Sequence, residues 1–274
     1  MVILETQNLA FAYPNGTEIL HGVDFSVNSG ECVALLGANG CGKTTLFQHF
    51  NGLLKPRSGS VLLKGKNLSQ WHQNEVFTQV GMVFQDPHDQ LFAASVYEDV
   101  SYGPKNLGLS ASEIQERVES ALKQCKMWEQ RNHSIHQLSY GQKKRVAIAG
   151  VLAMHCDIIV LDEPTAGLDP RTAADLMLTL KGLQVNKGLT TIISTHEVDI
   201  VPIYCDRAYV MQEGRIVIEG TPEHIFSDPV LIRGAFLRLP RIAHLWEILK
   251  HKEGVISSAN PLTIKEAREA FRKL

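Results

Sequence analysis

The chain has 274 residues, 44% of them hydrophobic, with 27 basic side chains against 29 acidic ones, enough for one large domain, or one plus an appendage. The charges balance without a basic block, which speaks against nucleic acid as a partner; no run approaches the length of a membrane span, and Met1 to Glu5 lacks the regions of a signal peptide. Five cysteines, Cys32, Cys41, Cys125, Cys156 and Cys205, form an odd set with no C-x-x-C pair, so reduced thiols in the cytosol are expected rather than a disulfide framework or a zinc site.

The first informative segment is Glu31-Cys32-Val33-Ala34-Leu35-Leu36, short and apolar as a buried parallel strand is. It runs into Gly37-Ala38-Asn39-Gly40-Cys41-Gly42-Lys43-Thr44, which fits the phosphate-binding pattern G-x-x-x-x-G-K-[ST]. A helix is expected from Thr44 to Phe50, stopping at Asn51-Gly52. Strand, glycine loop and helix start together aim backbone N–H groups and a partial positive charge at phosphate oxygens. Lys43 then neutralises the β and γ phosphates of a nucleoside triphosphate, and the Thr44 hydroxyl holds Mg²⁺.

Further along, Leu138-Ser139-Tyr140-Gly141-Gln142 precedes a helical run from Lys143 to Met154. Ser139 with Gln142 three residues on is a capping box, and the same serine, glycine and helix start make a second anion site; both uses are open. Ile158 to Leu161 reads as another buried strand and delivers Asp162 and Glu163. Adjacent carboxylates there are costly to bury unless a cation faces them, which suits Mg²⁺: Asp162 acts on the metal's coordination shell, and Glu163 orients and deprotonates the attacking water. A third strand, Thr190 to Thr195, brings His196 to the same carboxyl edge of a parallel sheet, within reach of a γ phosphate.

This set of motifs resembles the ABC transporter ATPases. The matching elements are the phosphate loop, the Gln85 loop, the Leu138 to Gln142 signature, Ile158 to Glu163, the loop Gly167-Leu168-Asp169-Pro170 and His196, in the family's order over roughly residues 2 to 225. The resemblance implies an α/β fold: a RecA-like P-loop NTPase core with a parallel sheet, an antiparallel β subdomain, and a helical subdomain at about 87–154. It further implies an ATPase domain over 1–228 and a short C-terminal extension over 229–274. Two chains are expected to pack head to tail. Each ATP then meets Tyr13, stacked on adenine, with Gly37, Asn39, Gly40, Cys41, Gly42, Lys43, Thr44, Thr45 and Asp162 of one chain, and Ser139, Gly141 and Gln142 of the other. Asp169 falls at the dimer interface. Mg²⁺ is taken by Thr44, Gln85 and Asp162, the last directly or through water, and catalysis by Glu163, His196 and Gln85. Two positions depart from the family pattern: Tyr140 stands where glycine is usual, and Glu197 where aspartate is common.

Asp86-Pro87-His88-Asp89-Gln90-Leu91-Phe92 and the stretch Ser95 to Pro104 are similar to the energy-coupling-factor subclass, importers of vitamins and of cobalt or nickel. There, Gln90 borders the groove for a transmembrane coupling helix. The segment Leu239 to Leu245 and the chain as a whole look most like the cobalt-transport ATPases, with nickel next. The implied partners are a second copy, a transmembrane coupling subunit and a substrate-binding membrane subunit, which hold the chain at the inner face of the membrane. In the tail, Ile242, Leu245, Trp246 and Leu249 recur at helical spacing. After Gly254 a capping box at Thr263 and Glu266 opens a helix carrying Ile264, Ala267, Phe271 and Leu274. Such faces pack on their own domain or on a twin, and dimerisation is the expectation. The eleven histidines are scattered, so choice of metal is left to the membrane partners.

Other nucleotide enzymes fit less well. Asn186-Lys187-Gly188-Leu189 has no aspartate with which a GTPase reads guanine, and no acceptor site of a metabolic kinase is visible. ABC ATPases outside transport carry paired cassettes, coiled-coil insertions or basic surfaces, and a nucleotide sensor without turnover has no need of both Glu163 and His196.

Overall fold

The structure is a computed structural model and describes residues 1–253 and 259–272; Gly254 and Leu274 lie outside them. The first half of the chain contains β1 (Val2–Ala12), β2 (Glu18–Asn28), β3 (Cys32–Leu36), α1 (Lys43–Phe50), β4 (Ser58–Leu63), β5 (Lys66–Asn67), α2 (Gln73–Gln79), β6 (Val80–Val83), α3 (Val96–Asn106) and α4 (Ala111–Gln124). There follow α5 (Tyr140–Ala153), β7 (Ile158–Asp162), α6 (Pro170–Lys187), β8 (Thr190–Thr195), α7 (Val201–Tyr204), β9 (Arg207–Gln212) and β10 (Arg215–Gly220). The chain continues through α8 (Pro222–Ile225), α9 (Pro229–Gly234), α10 (Arg241–Lys252) and α11 (Ile264–Phe271).

Two sheets organise these elements: a four-stranded one in the order β2-β1-β4-β5, and a six-stranded one in the order β10-β9-β3-β8-β7-β6. The first is antiparallel; in the second β9, β3, β8, β7 and β6 run parallel, with β10 antiparallel at the edge. Strands β3, β7 and β8 are buried along their whole length, as expected of parallel strands covered on both faces. Because side chains alternate across a strand, neighbouring residues feed separate cores. Ala34, Leu36, Leu161 and Ile193 pack with α4, α5 and α6, whereas Val33, Leu35, Val160 and Ile192 pack with β1, β2 and α1. The pairings Leu36 with Thr195 and Asp162 with Ser194 bring the carboxyl ends of β3, β7 and β8 to one level. That edge carries the chemistry.

Local chemistry adjusts two expected boundaries. Glu31 stands outside β3, where its carboxylate accepts the Asn28 N–H at 2.7 Å and pairs with Arg207 at 2.8 Å. Helix α5 starts at Tyr140, because Ser139 is its N-cap and forms the capping box with Gln142. In the tail, Leu237, Leu239 and Leu262 are buried in the same apolar cluster as Leu176, Met177 and Leu180 of α6. Trp246 is buried and meets Phe271 edge to face at 5.0 Å. Asp199 ties the start of α10 to the segment after β8: it accepts the Arg241 N–H at 2.7 Å and pairs with Arg238 at 3.1 Å. No helix among the described residues is long and apolar enough to cross a membrane.

Candidate active site at the carboxyl edge of the parallel sheet

The phosphate loop leaves β3 at Gly37. A Cβ there would lie 2.5 Å from the Met211 carbonyl, so only glycine lets the loop lie against β9. Gly42 at the foot of α1 has φ +109°, a conformation side chains rarely adopt. Lys43 is buried and folds over the loop, donating to the Gly37 and Ala38 carbonyls at 2.8 and 3.1 Å. Phosphate oxygens arriving at the loop would compete for those donors. Tyr13 stands beside the helix start, its hydroxyl 3.2 Å from Thr45 Oγ1 and its side chain 36% exposed. That leaves ring surface free to stack.

A chain of polar contacts joins this loop to the ends of β7 and β8. Thr44 Oγ1 donates to Asp162 Oδ2 at 2.5 Å, Ser194 Oγ donates to Asp162 Oδ1, and the Glu163 N–H donates to Ser194 Oγ at 2.9 Å. Glu163 has φ +48°, a left-handed backbone unusual for a residue with a side chain and typical of strained functional positions. Its carboxylate is buried and neither oxygen has a hydrogen-bond partner. His196 Nδ1 lies 2.9 Å from Oε2, out of line for a hydrogen bond. Buried carboxylate oxygens without donors are costly, and they leave Glu163 with both oxygens available to accept a hydrogen bond. The Thr44 hydroxyl beside the Asp162 carboxylate is a hard oxygen donor set suited to Mg²⁺. These residues therefore fit a triphosphate and its metal.

The signature is built differently. Ser139 is exposed, and its bonds are those of its own cap: its N–H donates to Gln142 Oε1 at 2.9 Å and its Oγ accepts from the Gln142 N–H at 3.3 Å. Among the described residues no hydrogen bond or ion pair joins Ser139, Gly141 or Gln142 to the phosphate loop. Tyr140, the departure from the family pattern, donates its hydroxyl to the Gln85 carbonyl at 3.2 Å and lies so close to Gly167 that a Cβ there would sit 2.8 Å from its ring. Gln85 itself is exposed. Asp169 caps α6 by accepting the Arg171 and Thr172 N–H groups at 3.1 and 3.0 Å; the Thr172 side chain, with these backbone bonds, holds its carboxyl below the usual range. Gln90 is half-buried, with Oε1 accepting the Phe84 N–H at 3.1 Å and Nε2 donating to the Met82 carbonyl at 3.3 Å. It thus braces the end of β6 just before Gln85.

Two residues around this site are unmarked by the motif patterns: Ser194, and Lys144, whose Nζ donates to the Gln85 and Glu163 carbonyls. The sequence signal for Lys144 is its spacing: with Ala147, Ile148 and Val151 it shares one buried face of α5. Ser194 has none, being one polar residue in a buried strand.

The ABC transporter family model matches residues 20–166. The energy-coupling factor transporter ATP-binding protein EcfA of Methanocaldococcus jannaschii is 55% identical over 257 residues, 93% of this chain and 92% of that protein. EcfA of Methanococcus maripaludis is 51% identical over 275 residues, spanning 100% of this chain and 98% of its own. Among solved structures, cbiO1 from Clostridium perfringens, part of the ABC transporter complex cbiONQ, superposes with a TM-score of 0.77 at 48% identity, covering 90% of this chain and 99% of its own. The cassette MJ0796, solved as a dimer bound to ADP and Pi, gives a TM-score of 0.73 at 28% identity over 80% of this chain and 99% of its own. The chain belongs to the ABC transporter family, as the ATP-hydrolysing subunit of an energy-coupling-factor transporter.

Proposed function

We propose that two copies of this chain, head to tail, enclose two ATP molecules and drive a multisubunit importer of a transition-metal ion, cobalt first and nickel or a vitamin as alternatives. The observation that carries the catalytic reading is the Glu163 carboxylate, without a hydrogen-bond partner among the described residues, in a left-handed backbone beside His196, its backbone N–H joined through Ser194 and Asp162 to Thr44. Lys43 and the loop N–H groups bind the β and γ phosphates, and Tyr13 stacks on adenine. Thr44, Asp162 and Gln85 hold Mg²⁺, which when bound offsets phosphate charge and orients the γ phosphate. Glu163 takes the proton of the attacking water, and His196 contacts the γ phosphate. Ser139, Gly141 and Gln142 of the second copy close the site, with Asp169 at the interface.

Residues 1–228 form the ATPase domain in this reading, and 229–274 an extension that helps hold the dimer together. The motor sits on the cytoplasmic side of the membrane, attached through a coupling subunit that meets the Gln90 segment and a substrate-binding subunit that selects the solute. The similarity to cbiO1 of the cbiONQ complex supports membership of such an assembly, and the resemblance carried by Leu239 to Leu245 favours cobalt. Purification from membranes with the partner chains, followed by uptake assays with cobalt and nickel in vesicles, tests the solute. Uptake of neither metal sinks the metal reading while leaving the motor intact.

A further inference from the structure

Lys144 is fully buried within α5. An ammonium in such a place is unfavourable unless strongly partnered, yet Lys144 hydrogen-bonds no carboxylate among the described residues. It donates instead to two main-chain carbonyls, Gln85 O at 2.9 Å and Glu163 O at 2.6 Å. Burial drives its pKa down to about 8, against the pull of the nearby Glu163, Asp162 and Asp86 carboxylates. Its neighbours on the same face, Ala147, Ile148 and Val151, are apolar and buried, so packing alone would be served by methionine or leucine.

The two carbonyls belong to segments that the reaction must keep in register. Gln85 follows β6, and Glu163 follows β7 in its left-handed conformation. The peptide groups on either side of the Glu163 Cα are both gripped: its N–H by Ser194 Oγ at 2.9 Å, its carbonyl by Lys144 at 2.6 Å. Lys144 lies little more than one turn into the helix that Ser139 caps. A shift of that helix start is therefore delivered to the backbone carrying the base.

We infer that Lys144 is a positioning residue for ATP hydrolysis, clamping the Gln85 and Glu163 carbonyls so that the Glu163 carboxylate is aligned only while the signature helix is in place. This rests on the reading of Glu163 as the base, and the test keeps the two separable. In the full chain, under conditions where the parent turns over, Lys144→Met keeps the length and removes the donors. The expected result is a fall in kcat of about tenfold to a hundredfold, the scale of a small misplacement of a reacting group, with ATP affinity within about twofold. Lys144→Gln, which keeps two N–H donors, should turn over several-fold faster than Lys144→Met. Adding Lys144→Met to Glu163→Gln should cost little more, because residues acting as a unit are not additive.

Turnover of Lys144→Met within about twofold of the parent, or loss of ATP affinity in step with turnover in both variants, overturns the inference. A full multiplicative loss on the Glu163→Gln background does so too. If Lys144→Met does not fold, Lys144→Gln decides: a lower kcat at unchanged ATP affinity supports the clamp, and an unchanged kcat ends it. Normal turnover of Glu163→Gln alone would instead remove the base and leave the Lys144 measurement standing.

Discussion

The phosphate loop with its facing carboxylates and the signature at the start of α5 both lie at helix N-termini and are both proposed here as anion sites, and they are finished in opposite ways. In the first, polar groups from distant stretches of chain satisfy one another: Thr44 reaches Asp162, Ser194 reaches Asp162, and the Glu163 N–H reaches Ser194. In the second, Ser139 and Gln142 satisfy each other across three residues, and Ser139 is exposed. The first site is completed from three strand ends of its own chain. A site whose serine is exposed and bonds only within its own cap is, in the proposed reading, free to meet the other copy's nucleotide.

The largest expected effect breaks the first site without touching the second. Glu163→Gln removes the proton acceptor and keeps the shape, so turnover should fall by about a hundredfold to ten-thousandfold while Mg·ATP binding stays within a few-fold. Steady-state phosphate release and equilibrium nucleotide binding measure the two separately. Near-normal release would reassign the unpartnered carboxylate to a purely electrostatic role.

Mixing variants addresses the comparison directly. Lys43→Ala disables the phosphate loop and Ser139→Arg the signature, so each should be inactive alone, since both of its composite sites carry a lesion. In a heterodimer the loop of the Ser139→Arg chain meets the signature of the Lys43→Ala chain, and one site is whole. Nucleotide trapping or ATP-induced dimerisation should recover to about half the parent level, the fraction that one intact site in two allows. Verified heterodimers that trap no nucleotide would mean that the signature serves its own chain after all.

The short-range motifs are the part most open to reading from sequence. A phosphate loop and a capping box each lie within a few consecutive residues, and buried parallel strands such as Ile158 to Leu161 are plain apolar runs. The long-range contacts are not written locally. Ser194 lies in a strand whose neighbours are equally buried, and only its register opposite Asp162 makes it a bridge between the carboxylate and Glu163. Tyr140 reads as a tolerated departure from glycine, whereas in three dimensions its ring covers Gly167 and its hydroxyl holds Gln85. The half-buried setting of Gln90 likewise depends on β6 ending where it does. Asp199 looks like an ordinary polar residue until the fold puts Arg238 and the N–H of Arg241 against it.

Ser194→Ala tests how far the first site depends on that unmarked bridge. The change strands the Glu163 N–H and one Asp162 oxygen in a buried place, a loss of about 1–3 kcal/mol. A lower melting temperature should accompany turnover reduced by about tenfold, the rate equivalent of 1.4 kcal/mol. If turnover falls and the melting temperature holds, the bridge is catalytic only; if neither moves, the strand ends hold their geometry without it.

The smallest effect concerns the rigidity of the loop itself. Cys41 lies inside the phosphate loop and is buried, and burial raises its pKa despite the pull of the Lys43 ammonium. Raising a thiol's pKa leaves less thiolate at every pH below it, and the thiolate is the nucleophile. Alkylation of Cys41 at neutral pH should therefore be slower than that of a free thiol, with its rate–pH curve displaced upward. Cys125 and Cys156, pushed up to about 12 by burial, should react more slowly still. Mg·ATP should slow the Cys41 reaction further by covering the loop, and Cys41→Ala should abolish the fraction of labelling that nucleotide protects. Mass-spectrometric labelling rates across a pH series, with and without Mg·ATP, provide the measurement. Labelling of Cys41 at the free-thiol rate near pH 7, still blocked by Mg·ATP, would show that the loop opens to solvent on its own. The contrast between a site completed within its own chain and an exposed one would then hold for the Asp162, Glu163 and Ser194 cluster alone, with the phosphate loop ordered by the nucleotide it binds.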